Sequence, residues 1–304
     1  MVLNLLLTAV VIIICVVSNK VSNKIGMPVL LAFILLGMFF GSDGPVQIYF
    51  DDYVFAEQAC SIALIFIMFY GGFGTKWDEA KPVANKAILL SSLGTIMTAV
   101  LVGIFCNVVL RISLLEGLLI GAVVSSTDAA SVFSILRSKR LNLRYNTASL
   151  LEIESGSNDP FAYMLTIIVL SLMGGGSSFS EFAYLIFSQI VYGAVFGIVL
   201  AVVTVHFFKK IKLTSSGFYS IFVLAIALIS YAGPSLVNGN GYLSAYITGI
   251  ILGNSKIHDK AELVHFFDGI TGLMQILLFF LLGLLSFPSQ LPRLPFWHWR
   301  SPSF

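Results

Sequence analysis

An all-α polytopic membrane protein of about ten transmembrane helices is the fold that this 304-residue sequence predicts. Composition, the run of apolar segments and the placing of basic residues each point to it. Hydrophobic residues make up 58% of the chain and charged residues 11%, against roughly 25% charge in an average soluble domain. Mean hydropathy is +0.95. A hydrocarbon core about 30 Å thick takes about 20 helical residues to cross, so a chain of this length holds about ten to twelve crossings joined by short loops.

Apolar runs that end at charge, Gly or Pro clusters give ten predicted helices: 3–18, 28–42, 56–72, 85–109, 113–136, 147–173, 181–207, 215–232, 239–253 and 263–285. The first, within MVLNLLLTAVVIIICVVSNK, lacks a basic n-region and an A-x-A cleavage site and reads as a retained helix. Several spans carry Gly or polar residues, which membrane helices tolerate where the backbone is buried in protein. Tyr70-Gly71-Gly72 and the glycines within 193–197 and 249–253 allow helices to approach closely. Cys15, Cys60 and Cys106 lie in or beside spans, with no CxxC pair or His cluster, and read as small buried hydrophobes. No cofactor is expected.

Basic residues test the segment count. Alternate loops hold Lys20 and Lys24; Lys76, Lys81 and Lys86; Arg137, Lys139, Arg140 and Arg144; Lys209, Lys210 and Lys212; and Lys256 and Lys260. The intervening loops hold only Arg111, a split of fourteen to one. Positive-inside sorting then places the N-terminus outside, with Asp43, Asp51, Asp52 and Glu57 on the outer surface and GGGSSFS, 174–180, as an outer turn. Because the bases are scattered between apolar segments, the net charge of +2 implies no nucleic-acid partner. The partner that composition does imply is the lipid bilayer.

Four acids remain at membrane depth, Asp128, Glu152, Glu154 and Asp159, with Asp268 near the start of the tenth span. Facing lipid, each costs several kcal/mol, so such residues normally face a cavity and mark an ion or proton path. Asp128 closes a run of four polar residues in GAVVSSTDAASVF, where Ser125, Ser126 and Thr127 can bond to backbone and ease a local break. In the sixth span Ser155 and Asp159 share one helical face, while Glu154 and Asn158 form a second pair rotated by about 100°. Pro160 removes a backbone donor and is expected to kink the helix beside Asp159. Glu152 lies on roughly the face of Asp159, about 10 Å away along the axis, and stays unassigned between an entry funnel and the membrane interface.

Oxygen-rich and anionic, this set suits a hard cation. A proton and a cation then compete for one carboxylate. If the site opens to one side at a time, competition alone gives obligatory exchange, and a lone aspartate carries equal charge in each direction.

The segments STDAASVF and LEIESGSNDPFA closely resemble the NhaP-like branch of the cation:proton antiporter superfamily, the branch that includes bacterial potassium or sodium/proton antiporters. The resemblance runs from about residue 1 to about residue 290 and takes in MFYGGFGTK, GLLIGAVVSSTD, TGIILGN and FFDGITGLMQI. It implies that Asp159 is the shared cation and proton carrier, Asn158 its partner in electroneutral exchangers, and Ser155 a ligand. Thr127 would add an oxygen from the unwound part of span five, so that Asp159, Ser155 and Thr127 hold the transported monovalent metal ion. Asp128 would neutralise the facing half-helix ends, with Ser126 and Pro160 in supporting roles. Glu154 would be structural, held by an arginine from a late helix. The implied protein is a homodimer in the bacterial inner membrane, with a core domain that moves against a dimerisation domain.

Two departures follow from the same comparison. The family commonly has an acid before the two glycines where this chain has Tyr70. The family's inverted-repeat fold also has about thirteen helices, about three more than are counted here, and one of those carries the arginine. The expectation is therefore an incomplete exchanger-type transmembrane domain over 1–290 and a tail without family likeness over 291–304, frame-altered or truncated. An aromatic belt at Trp297, His298 and Trp299 is the other reading of that tail. No Lys or Arg lies at membrane depth, which leaves Glu154 without a cation. Two other functions fit the composition. One is an inactive or regulatory fragment; the other is an intramembrane aspartyl protease using Asp128 and Asp159, although those proteases carry Tyr-Asp and Gly-x-Gly-Asp patterns and here the aspartates follow Thr127 and Asn158.

Overall fold

A computed structural model describes residues 2–25, 28–128, 132, 143–175, 179–210, 216–257 and 259–289. Among the described residues, helices occur at all ten predicted places and no strand is present. They are α1 Val2–Ile25, α2 Val29–Phe40, α3 Tyr53–Gly74, α4 Ala84–Leu110, α5 Leu114–Val124, α6 Thr147–Met173, α7 Phe179–Lys210, α8 Ser216–Ser235, α9 Gly241–Asn254 and α10 Lys260–Leu284. The tail over 291–304, most of the third basic loop and part of the predicted outer turn lie outside the described residues.

Five of these helices are long and apolar enough to cross a membrane: α3, α4, α7, α8 and α10. Three of the others fall short of that standard for identifiable reasons. At 11 residues α5 is about 17 Å long, because it stops at Val124 where the polar run begins. With 14 residues α9 starts late, at an Asn240 cap. In α6 the length suffices at 27 residues, but Glu152, Glu154 and Asp159 interrupt its apolar face.

The start of α5 is fixed by its sequence. Ser113 accepts the Glu116 backbone N–H at 3.3 Å, and the Glu116 carboxylate accepts from the Ser113 backbone N–H at 2.9 Å. This reciprocal capping box satisfies two donors that a helix start otherwise leaves open. Ser113→Ala is expected to cost about 1 kcal/mol, read as a lowered thermal-unfolding midpoint in detergent.

The chain divides into two compact units. In the first, Met1–Leu64 with Gly272–Phe304, α1 packs on α2, and Phe40, Leu281 and Leu284 form a core with Val11, Ile14, Ile48 and Phe280 around it. Asp43, after α2, accepts the backbone N–H of Ser289 at 2.9 Å.

In the second unit, Ile65–Thr271, α6 packs against α4, α5, α7 and α9. Its N-terminal half is seated by Ile153, buried on Ala80, Ala84 and Ala87. The C-terminal half of α3 runs beside α9 with almost no separation. An added Cβ on Gly249 would overlap the Phe69 carbonyl, and one on Gly253 the Phe73 carbonyl. Only glycine admits that contact. Asn254 ties the same ends together, donating to the Thr75 carbonyl at 2.8 Å and accepting the Trp77 backbone N–H at 2.9 Å. Lys260 donates to the Gly253 carbonyl, placing a cation at the C-terminus of α9, where the helix dipole is negative.

Candidate functional site

The polar run that ends α5 faces α6. Ser125 turns back on its own helix, its hydroxyl donating to the Ala122 carbonyl at 2.7 Å. The chain then leaves helical geometry through Ser126 and Thr127. Freed from the helix, these two hydroxyls point across to α6, and six residues join in one hydrogen-bonded set.

Ser126 donates to Asp159 and lies 3.1 Å from the side-chain oxygen of Asn158. Asn158 donates its amide to Thr127 at 2.6 Å and to Glu154 at 3.1 Å. The Thr127 hydroxyl meets that of Ser155 at 3.0 Å, and Ser155 lies 3.3 Å from the second Glu154 oxygen. The NH₂ side of Asn158 faces the Glu154 carboxyl oxygen, which accepts from it. Both amide hydrogens are then engaged, and the asparagine, 1% exposed, has one orientation.

Of the two predicted pairs, Glu154 and Asn158 are joined by a direct bond, while Asp159 bonds to Ser126 and Ser155 to Thr127 and Glu154. Ser126, expected in a supporting role, touches Asp159 directly through its hydroxyl. Asp128 follows Thr127 and is exposed, and its backbone carbonyl accepts the Val132 N–H at 3.2 Å. Glu152 is partly buried, one turn before Gly156 on α6. Tyr70 is buried on α3 and donates to Asp268 of α10 at 3.3 Å, so a carboxylate does stand beside that position, supplied by a distant part of the chain.

One expectation needs correction. Glu154, expected to await a cation, is held by Asn158 and Ser155; two hydroxyl or amide donors stabilise a carboxylate without an opposite charge. Among the described residues the one ion pair is Lys76–Glu79, exposed and far along the chain. Glu154→Gln is expected to cost about 1–2 kcal/mol, since its charge-assisted bonds become neutral ones, and thermal unfolding in detergent reads it. The helix α6 is continuous through Pro160, whose missing N–H leaves the Gly156 carbonyl without its usual helical donor.

Residues beyond the predicted set complete the surroundings. The Tyr246 ring of α9 lies over Gly156, so near that an added Cβ would come within 2.6 Å of it. Asn240, capping α9, donates to the Pro160 carbonyl at 2.9 Å. The dipeptide repeat NGNG before an apolar run was the available signal for a cap, but nothing local announces its second bond.

Among the described residues no group of three His, Cys, Asp or Glu side chains could hold a resident metal. What the six residues offer is one carboxylate with a hydroxyl donor, a second carboxylate one turn away, and several neutral oxygens. That chemistry suits reversible binding of a weakly held cation or a proton.

The profile of the family described as sodium/hydrogen exchanger, transmembrane, matches residues 6–303. The K(+)/H(+) antiporter NhaP of Alkalimonas amylolytica is 35% identical over 290 residues, covering 95% of this chain and 50% of that protein. The K(+)/H(+) antiporter NhaP2 of Shewanella sp. strain MR-4 is 36% identical over 279 residues, covering 91% and 48%. The chain thus spans about half the length of the curated relatives it matches. The solved sodium proton antiporter MjNhaP1 of Methanocaldococcus jannaschii superposes with a TM-score of 0.80 at 24% identity, over 93% of this chain and 70% of that one. At that identity the likeness is one of fold.

Proposed function

Since the chain belongs to the sodium/hydrogen exchanger transmembrane family, we propose that it exchanges a monovalent cation, potassium or sodium, for protons, with both competing for Asp159. The observation that carries this reading is the Asp159 carboxylate, set on a membrane helix against the hydroxyls of a broken one. A carboxylate away from bulk water needs a neutralising partner. Either a proton or a cation can be that partner, and neither can share the site with the other.

Each residue then has a task. Asp159 holds the cargo, with Ser155 and Thr127 supplying neutral oxygens. Ser126 donates to Asp159 and orients its carboxylate. Asn158, fixed by Glu154 and Thr127, keeps the α5 break in register with α6. Asp128 balances charge at the break. Because one proton leaves as one cation enters, exchange is electroneutral, and alternating access makes it obligatory. Potassium is favoured by the likeness to the K(+)/H(+) antiporters NhaP and NhaP2, and sodium by the likeness to the sodium proton antiporter MjNhaP1. The setting is the bacterial inner membrane, with the N-terminus outside and the protein a homodimer.

Everted vesicles carrying the chain, from cells without their own exchangers, test the reading. A preset proton gradient is expected to collapse on addition of sodium or potassium. No response to sodium, potassium or lithium at any pH between 6 and 9, a range of about three units around neutrality chosen to cover carboxylate exchange, overturns it for this chain.

A further inference from the structure

Asn240 makes more bonds than a helix cap needs. Its side-chain oxygen accepts the Leu243 backbone N–H at 3.0 Å, which is the cap itself. Ser, Thr and Asp cap about as well. Its amide nitrogen reaches across to α6 and donates to the Pro160 carbonyl at 2.9 Å, between residues 80 apart in sequence. Of the usual capping side chains only asparagine can accept at the cap and donate from a second atom at this reach. The backbone of Asn240 is also clamped, its N–H donating to the Gln189 carbonyl of α7 at 3.0 Å. Gly193 of α7 lies against it so closely that an added Cβ would come within 2.7 Å of the Asn240 carbonyl. The residue is 2% exposed.

The bond falls where α6 is weakest. Proline has no N–H, so the Gly156 carbonyl loses its usual donor, and the turn holding Asp159 is one bond short. An outside donor on the carbonyl of Pro160 itself, beside Asp159, steadies that turn. We propose that Asn240 is a positioning residue for Asp159: through the Pro160 carbonyl it sets the carboxylate opposite Ser126, and so tunes the balance between cation and proton. This rests on the exchanger reading.

Asn240→Ser keeps the cap and removes the bridge; Asn240→Asp keeps the cap and the shape. In exchange assays the Ser variant is expected to raise the half-saturating cation concentration about fivefold or more and to displace the pH profile, as loss of one hydrogen bond would. The amount of protein in the membrane stays near that of the parent. The cation-dependent rise in thermal-unfolding midpoint, measured in detergent with sodium or potassium chloride against choline chloride, shrinks in parallel. In the Asp variant the same parameters move and depend on pH. Cation affinity and pH profile unchanged in both variants overturn the proposal and leave the exchanger reading standing. Failure of the Ser variant to reach the membrane assigns Asn240 a structural role alone and overturns it too. If the parent chain shows neither exchange nor a cation-dependent midpoint, the exchanger reading falls and this inference falls with it.

Discussion

Asp159→Asn is expected to reduce cation/proton exchange to the background of vesicles lacking the chain, a drop of about 100-fold or more, corresponding to about 3 kcal/mol of lost cation stabilisation. The amide has nearly the same shape and still accepts from the Ser126 hydroxyl, so the hydrogen-bonded set survives. What disappears is the charge that a proton or a metal ion neutralises. The folded fraction and the thermal midpoint should stay near those of the parent, while the cation-dependent rise in that midpoint vanishes. Normal exchange by this variant would remove Asp159 from the carrier role. A parallel loss in Thr127→Val would support an oxygen from the α5 break in the same site.

Gly249→Ala is expected to destabilise by about 3 kcal/mol or more, at the upper end of overpacking effects. The added methyl would overlap the Phe69 carbonyl and crowd the Phe73 backbone nitrogen, 3.0 Å away. Both neighbours are helix backbone and cannot rotate aside. Separation of α3 from α9 would also carry Tyr246 off Gly156 and disturb the turn below Asp159. Gly269→Ala is the matched control, because a Cβ there meets nothing within 4 Å. It should be neutral or gain about 1 kcal/mol from helix propensity. Comparing the two thermal midpoints in detergent decides the point, and equal midpoints would show that the α3–α9 contact tolerates a methyl.

Local features of the chain were legible to the extent that they depend on near neighbours in sequence. The helix places follow apolar runs, and the α5 break follows SSTD, where short hydroxyl side chains compete for backbone. Glu154 with Asn158 could be paired beforehand because four residues make a little over one turn. Glu154 looks unpaired when opposite charges alone are counted, whereas Asn158 and Ser155 are neutral donors to its carboxyl group. Tyr70 left an acid there either absent or supplied from elsewhere, and Asp268, 198 residues later, stands beside it.

The membrane class, the order of helices and the stock of buried oxygens were determined by the sequence alone, since hydropathy and helical spacing act over one or two turns. Which oxygens meet was decided by tertiary structure. Ser126 on Asp159, Asn240 on Pro160 and Tyr246 on Gly156 all depend on the rotation and separation of helices distant in the chain. Glycines set that separation by what they lack, and a missing side chain gives no sign in sequence of which partner will fill the space.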